Sequence, residues 1–324
     1  MNQDRSAAPA ALGDLAPASG TGASRTGASG TGASGTGASG TGAVAIAVPE
    51  PEMFHLSELT YRARWRHAVA DLTEALRLSD LSRTLGWLDI KIKYRGSVLG
   101  PFWLTLSTAV LVGTLGVLYS ELFHIKLHDF LPFIALSLVL WNFLSMLVSD
   151  ACVAFTLSEA TIRSVRMPFF VFAGQNVYRN LLILAHNLVV IVVVFIVFRI
   201  VPGLPALMAI PSLLLWLADA FAITILLGAF CARFRDVPPI VASVLQIAFY
   251  ISPIIWKPEL LPAKQRYLLT FDPFYSLFEI VRAPLLGFVP EIHIWVSAIG
   301  YSAGLCLLAW IGFVRVRSRI AFWI

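Results

Sequence analysis

Six apolar blocks, each about twenty residues long and parted by short polar stretches, dominate the chain after residue 97. They cover residues 98–120, 131–151, 177–200, 205–230, 237–256 and 292–314. A hydrocarbon core of roughly 30 Å takes about twenty helical residues at 1.5 Å each. Inside that core every backbone N–H and C=O must be satisfied within the segment, which favours helices. The pattern therefore predicts an all-α polytopic membrane protein with six transmembrane helices. Pro101 and Pro132 fall at the starts of the first two blocks, where a missing N–H costs little. The tract from Leu181 to Phe230 is too long for one span. Pro202 and Pro205 divide it, so Val201–Pro205 reads as an external turn.

Composition agrees: 58% of residues are hydrophobic and 13% charged, against roughly 45–50% and 25% in soluble domains. The net charge of +5 and pI near 9.3 do not argue for nucleic acid, because the cations sit between apolar blocks. Lys and Arg mark the cytoplasmic side of a membrane protein. Eight lie between Arg62 and Arg95, ahead of the first block. Arg163 and Arg166 follow the second, Arg233 and Arg235 the fourth, and Arg315, Arg317 and Arg319 the sixth. These signs place both termini in the cytoplasm. The loop 257–291 carries mixed charge and is the least decisive.

Three regions lie outside this pattern. Residues 1–50 are a low-complexity tail in which TGAS(G/R) recurs from Thr21, too poor in apolar surface to fold. Its start, MNQDRSAAPAALG, has no apolar h-region, so no cleavable secretory signal is expected. Residues 51–97 alternate leucines at helical spacing with arginines and lysines, and predict amphipathic helices. The part from Leu81 to Tyr94 suits a helix lying at the membrane surface. Residues 265–289 are apolar but broken by Asp272, Pro273, Glu279, Arg282, Pro284 and Gly287. They predict two short re-entrant helices on the external side, before the last span. Residues 98–324 then form the six-span transmembrane domain.

Chemistry-bearing motifs are few. No G-x-x-x-x-G-K-[S/T] phosphate loop and no H-E-x-x-H occurs. Cys152, Cys231 and Cys306 fall in the apolar blocks without metal or disulfide spacing. Thr156–Glu159 fits a capping box ahead of a short helix running to Val165, with Arg163 and Arg166 on one face. Asp236 is placed to cap the fifth span. Asp219 lies near the middle of the fourth span, where a carboxylate is costly; Arg179, His186, Asn187 and Gln246 are its candidate partners. Trp103, Tyr119, Trp141, Tyr178, Trp216, Tyr250, Trp256 and Trp295 suit interfacial belts.

The segment LDIKIKYRGSVLGPFWLTLS, Leu88–Ser107, resembles the lead-in of permease subunits of type-two ABC exporters of polysaccharides, namely O-antigen, capsule and teichoic acid. Asp89, Ile90, Lys91, Tyr94, Ser97, Leu99, Gly100, Pro101 and Trp103 fit; Leu88 replaces a usual arginine. ATIRSVRMPFF, ARFRDVPPI, FYISPIIW and FDPFYSLFEIVRAPLLG follow in the order of that family, with Asp272 in place of a usual asparagine. The resemblance covers roughly residues 80–324.

It implies a permease subunit that exports lipid-linked polysaccharide, O-antigen foremost, across the cell inner membrane. It implies a homodimer with two copies of a nucleotide-binding ATPase subunit, ATP and Mg being used by that subunit and no cofactor bound here. The substrate would be an undecaprenyl-pyrophosphate-linked polymer, with membrane lipids as further contacts and no nucleic acid. Arg83, Lys91, Lys93, Tyr94 and Arg95 would flank the substrate entrance. Glu159, Arg163, Arg166 and Pro168 would couple to the ATPase, with Arg235 and Asp236 opening span five and Asp272, Glu279 and Arg282 marking the external segment. The aromatics would then have a second use, stacking on sugars. Two other classes remain open from the residues alone: a membrane-embedded transferase using Asp272, Glu279, Glu291 and His293, and an ion-coupled carrier centred on Asp219.

Overall fold

The computed structural model describes residues 61–98, 100 and 102–324. The repeat tail, residues 51–60, and the motif residues Leu99 and Pro101 lie outside the described residues. The described part is helical throughout: α1 Tyr61–Arg77, α2 Ser79–Lys93, α3 Phe102–Leu122, α4 Leu127–Leu157, α5 Glu159–Ser164, α6 Phe169–Val197, α7 Ala209–Arg233, α8 Val237–Ile251, α9 Ala263–Arg266, α10 Pro273–Leu285 and α11 Ile292–Trp323. The protein is thus an all-α polytopic membrane protein. Five helices are long and apolar enough to cross a membrane: α3, α4, α6, α7 and α11. The fifth expected span appears as α8, whose 15 residues rise only about 22 Å.

The helix α4 is the centre of the bundle. Every residue from Phe130 to Trp141 is buried, as expected of a helix apolar on all sides. It extends beyond the expected 131–151 at both ends because α3, α6, α7, α8 and α10 pack around it. Pro132 falls inside it instead of at its start; it sits near the N-terminal end, so the lost N–H removes one intrahelical bond. The third expected span also begins earlier, at Phe169, directly after the N-cap Pro168.

The segment between α8 and α11 is broken, as its prolines require. Short turns lead to α10, whose N-cap Asp272 accepts from the Phe274 amide at 3.0 Å. Trp216 Nε1 on α7 donates to the Leu277 carbonyl (3.0 Å) and Ser212 Oγ to that of Ile280 (2.7 Å), which pins α10 to α7. Arg282, 1% exposed, binds Glu279 and donates from Nη1 to Ser137 Oγ (2.9 Å) and the Pro253 carbonyl (2.8 Å). Its guanidinium also lies 4.2 Å from the Phe133 ring centre.

At the other end, α1, α2, α5, the α7–α8 turn and the end of α11 gather on one side. A second apolar cluster forms there around Phe155, Phe169, Phe172, Phe313 and Ile320. Asp71, 2% exposed, accepts from the Phe169 amide at 2.9 Å and from Arg317 at 2.7 Å. One carboxylate therefore caps α6 and ties α1 to α11.

Candidate functional site

The membrane-embedded helices leave an open polar groove. It has a volume of about 550 Å³ and is lined by Leu104, Ser107, Thr108, Leu111, Asn142, Ser145, Met146, Ser149, Asp150 and Asn187. Seven of these ten are polar. A second hollow of about 370 Å³ continues it past Leu111, Asn142, Ser145 and Ser149 to Gln246, Phe249 and Tyr250 on α8. On α4, residues 142, 145 and 149 are spaced i, i+3 and i+7, which puts them on one face. Polar groups at this depth are costly unless they meet one another, water or a polar ligand.

The hydroxyls are turned to serve the groove. Ser107, Thr108, Ser145 and Ser149 each donate to a carbonyl of their own helix, at Trp103, Leu104, Asn142 and Ser145. Such back-bonding leaves their lone pairs free to accept. Asn142 Nδ2 reaches Thr108 Oγ1 at 3.4 Å. Asn187 Oδ1 is buried and has no hydrogen-bond partner among the described residues. The groove's lining thus offers acceptors and amides without net charge, except Asp150.

Asp150 connects the groove to a charged knot. Arg179 on α6 meets Asp150 at 3.0 Å and Asp89 of α2 at 2.9 Å. Gln175 Nε2 donates to Asp89 (2.9 Å), and Asn180 Nδ2 to Asp150 (3.1 Å). Asn176 takes a bond from Arg179 and gives one to Thr224 on α7. The helix α2 approaches closely enough for this because both sides are small. A Cβ on Gly86 would stand 2.9 Å from the Gln175 carbonyl, and one on Gly174 would stand 2.9 Å from Ser82 Oγ.

Asp89 and Ile90 are turned inward, and the cations gather at the C-terminal end of α2 and just beyond it. Lys91, Lys93 and Arg95 are exposed, and Arg83 pairs only with Asp80 on the surface, at 3.1 Å. Tyr94 is the C-cap of α2, and partial burial pushes its hydroxyl above the ordinary 10.0. Burial likewise pushes the Asp71 carboxyl above 3.8, outweighing the downward pull of Arg317 and the α6 amides.

The expected short helix after α4 is present as α5, but not as a capping box. Thr156 is inside the last turn of α4 and donates to the Val153 carbonyl. Ser158 occupies the N-cap of α5 without a side-chain bond. The helix stops at Ser164, so Arg166 lies beyond it and does not share a face with Arg163. Arg163 binds Glu159 at 3.0 Å and donates to the main-chain oxygen of Ile324. Asp236 occupies the N-cap of α8, again without a capping bond, and Arg235 is exposed beside it.

Asp219 has none of its expected partners. Ser302 Oγ on α11 donates to it at 2.7 Å, because α11 packs along α7 and brings a hydroxyl to the same depth. Arg179, the expected cation, is engaged by Asp89 and Asp150. Asp219 faces an otherwise apolar cavity of about 410 Å³. Trp141 and Trp216 are buried in the core, whereas Trp103 and Tyr250 are exposed by more than half. Glu279 is held by Arg282, Asp272 caps α10, and Glu291 pairs with His293 at 3.0 Å. Among the described residues no group of three or more His, Cys, Asp or Glu could hold a metal ion.

The stripe on α4 and the asparagines of α6 carried a signal that hydropathy alone passes over. Polar residues recur at helical spacing inside an otherwise apolar block, and that is the mark of a face turned to water, protein or a polar ligand.

Long apolar helices around a polar groove are the layout of an integral membrane protein. The family model of the ABC-2 type transporter matches residues 81–286, and the chain belongs to that family. It is similar to the O-antigen export system permease protein RfbA of Klebsiella pneumoniae, with 22% identity over 201 residues, 62% of this chain and 78% of the relative. It is also similar to the protein of that name from Myxococcus xanthus, with 23% identity over 197 residues, 60% of this chain and 76% of the relative.

Proposed function

We propose that this protein is the permease subunit of an ATP-driven exporter that carries lipid-linked polysaccharide, O-antigen foremost, across the cell inner membrane. The observation that carries the reading is the polar groove across α3, α4, α6 and α8, open on one side. A polymer of hydroxylated rings needs acceptors, amides and aromatic faces that do not fix one register. Serine, threonine and asparagine side chains with Phe249 and Tyr250 supply them. A second copy of the chain closes the groove into a channel.

In this reading the chain has three parts: the tail 1–50, the helices of 51–97 at the cytoplasmic surface, and the permease domain 98–324. There are six spans, α8 being the short one, and both termini are cytoplasmic. The segments around α9 and α10 are re-entrant from outside, with Asp272, Glu279 and Arg282 holding their shape. The basic residues of α2 and of the turn after it, Arg83, Lys91, Lys93 and Arg95 with Tyr94 at the helix end, meet the anionic pyrophosphate of an undecaprenyl-linked substrate among the membrane lipids. ATP and Mg are used by two nucleotide-binding subunits, which dock on Glu159, Arg163, Arg166 and Pro168 and on the Arg235–Asp236 turn.

The test is to fill the groove with apolar side chains. Asn142→Leu with Ser145→Leu should leave membrane insertion unchanged and lower the polymer reaching the cell surface at least about tenfold, the effect of a barrier raised by about 1.4 kcal/mol. Normal export by this variant would remove the groove from the path.

A further inference from the structure

The cavity in front of Asp219 is not part of the polar groove. It lies between α4, α7, α8, α10 and α11 and has a volume of about 410 Å³. Small-molecule sites span about 300–1,000 Å³. Its described lining holds no Lys, Arg or His, and Asp219 is its one carboxyl. On α7, Trp216, Asp219 and Ile223 are spaced i, i+3 and i+7. One face of that helix therefore carries both the acid and the apolar wall around it.

The side-chain donors in this wall are already spent. Trp216 Nε1 donates to the Leu277 carbonyl (3.0 Å) and the Tyr301 hydroxyl to the Thr270 carbonyl (3.2 Å). Ser302 Oγ donates to Asp219 Oδ2 at 2.7 Å. Asp219 Oδ1 is left over: it is buried and has no hydrogen-bond partner among the described residues. The whole residue is only 9% exposed. An unpaired acid oxygen inside a membrane protein is costly, and such an orphan calls for a partner.

Water fills that need poorly. A buried water takes roughly two to four polar partners, and cavities with apolar walls stay dry. A hydrated metal cation would carry the same water in with it. A bare one would meet a single carboxylate where hard cations take about six oxygens. An apolar molecule with one amine meets every condition. Its ammonium gives Oδ1 a donor and a countercharge together. Where the acid holds a proton, an uncharged amine accepts it, so the same pair forms from either state. Phe143, Trp216, Phe274 and Tyr301 line the cavity, and aromatic faces favour a cation beside them. The rest of the wall takes up hydrocarbon.

We propose that this cavity is a binding site for a lipophilic monoamine, and that Asp219 Oδ1 holds its ammonium. The inference goes beyond the permease reading and does not depend on it. Leu245 of α8 lines both this cavity and the hollow that continues the groove. An occupant thus braces the helix that borders the groove.

The experiment follows thermal unfolding of the full chain in non-ionic detergent against rising amantadine, a hydrocarbon cage with one amine. Adamantanol, in which a hydroxyl replaces the amine, is the comparison. A ligand that binds only the folded chain raises the midpoint according to its occupancy. Amantadine should do so saturably, and at concentrations at least about tenfold lower than adamantanol, as expected of a charged partner over a neutral one. Asp219→Asn keeps the side-chain shape without the charge and should remove most of that preference. Val244 lines the cavity yet is 53% exposed, so Val244→Trp fills the space with little cost to the core. It should abolish the response to both ligands, and it decides the matter where Asp219→Asn does not fold. No saturable response to amantadine overturns the proposal, as does an equal response of the parent to both ligands. A preference kept by Asp219→Asn overturns it too. So does a response unchanged in Val244→Trp, which would place the amine in the micelle or elsewhere on the chain.

Discussion

Arg282 near one end of the bundle and Arg179 near the other are both held by carboxylates, yet they do different work. The Arg282 side chain is 1% exposed, and its acid, Glu279, lies on its own helix three residues away. The remaining donors reach neutral acceptors, Ser137 Oγ and the Pro253 carbonyl. Its charge stays neutralised wherever α10 goes, and the neutral bonds peg α10 to α4. The Arg179 side chain is 16% exposed, and its two acids come from two other helices, α2 and α4. Any sliding of α2 against α4 must break one of those pairs. Arg282 acts as a rivet and Arg179 as a joint.

The largest effect should come from the rivet. Arg282→Ala leaves Glu279 without its cation and Ser137 and Pro253 without a donor. Removing one partner of a buried pair typically costs about 3–5 kcal/mol. Thermal unfolding in detergent should show this as a large fall in midpoint and in yield. A midpoint within a degree or two of the parent would show that α10 is held by packing alone. Arg179→Ala should cost less, about 2 kcal/mol, the range of hydrogen bonds to partly exposed charged groups. It should loosen α2 selectively, read as faster amide exchange in residues 79–93 with α4 unchanged. Uniform loosening of both helices would break the contrast.

How much of this was legible beforehand differs element by element. The long apolar blocks were, because a span is a property of local composition. The helix α8 was harder, since 15 residues followed by Ser252 and Pro253 look like the end of a full-length block. The broken segment before α11 announced itself through its prolines. The site was only half visible. The basic end of α2 and the position of α5 follow from local spacing, but Asp71 and Arg317 are 246 residues apart, and no local pattern joins them. Asp219 drew attention as an isolated acid and was offered cations as partners. Its actual partner, Ser302, is a residue too common to stand out. The cap proposed from Thr156 failed because α4 outlasts its apolar block and absorbs that residue.

The joint depends on close approach, which gives a smaller and sharper test. Gly86→Ala brings a Cβ to 2.9 Å from the Gln175 carbonyl. Forced overpacking costs about 1–3 kcal/mol, while replacing glycine by alanine in a helix returns about 1 kcal/mol. The net should be a loss of about 1 kcal/mol. Gly113→Ala on α3 meets nothing within 4 Å and should show the helical gain alone. If both substitutions shift the midpoint upward, α2 is not seated against α6 at this distance.

The smallest expected effect concerns Asp71, the other charged tie at the Arg179 end of the bundle. Like Arg179 it bridges separate helices, but its carboxyl is buried enough to be pushed above 3.8. A raised folded-state value means that the folded chain holds this proton more tightly than the unfolded chain. The contribution to stability is therefore complete below 3.8 and is lost as pH rises through the folded value. Asp71→Asn cannot titrate. Subtracting its unfolding midpoint from that of the parent at each pH isolates the residue. The difference should favour the parent most at the acid end and decline as pH rises. A difference that grows with pH would mean that Arg317 and the α6 amides outweigh burial, so that this tie would be an ion pair in the same sense as that of Arg179.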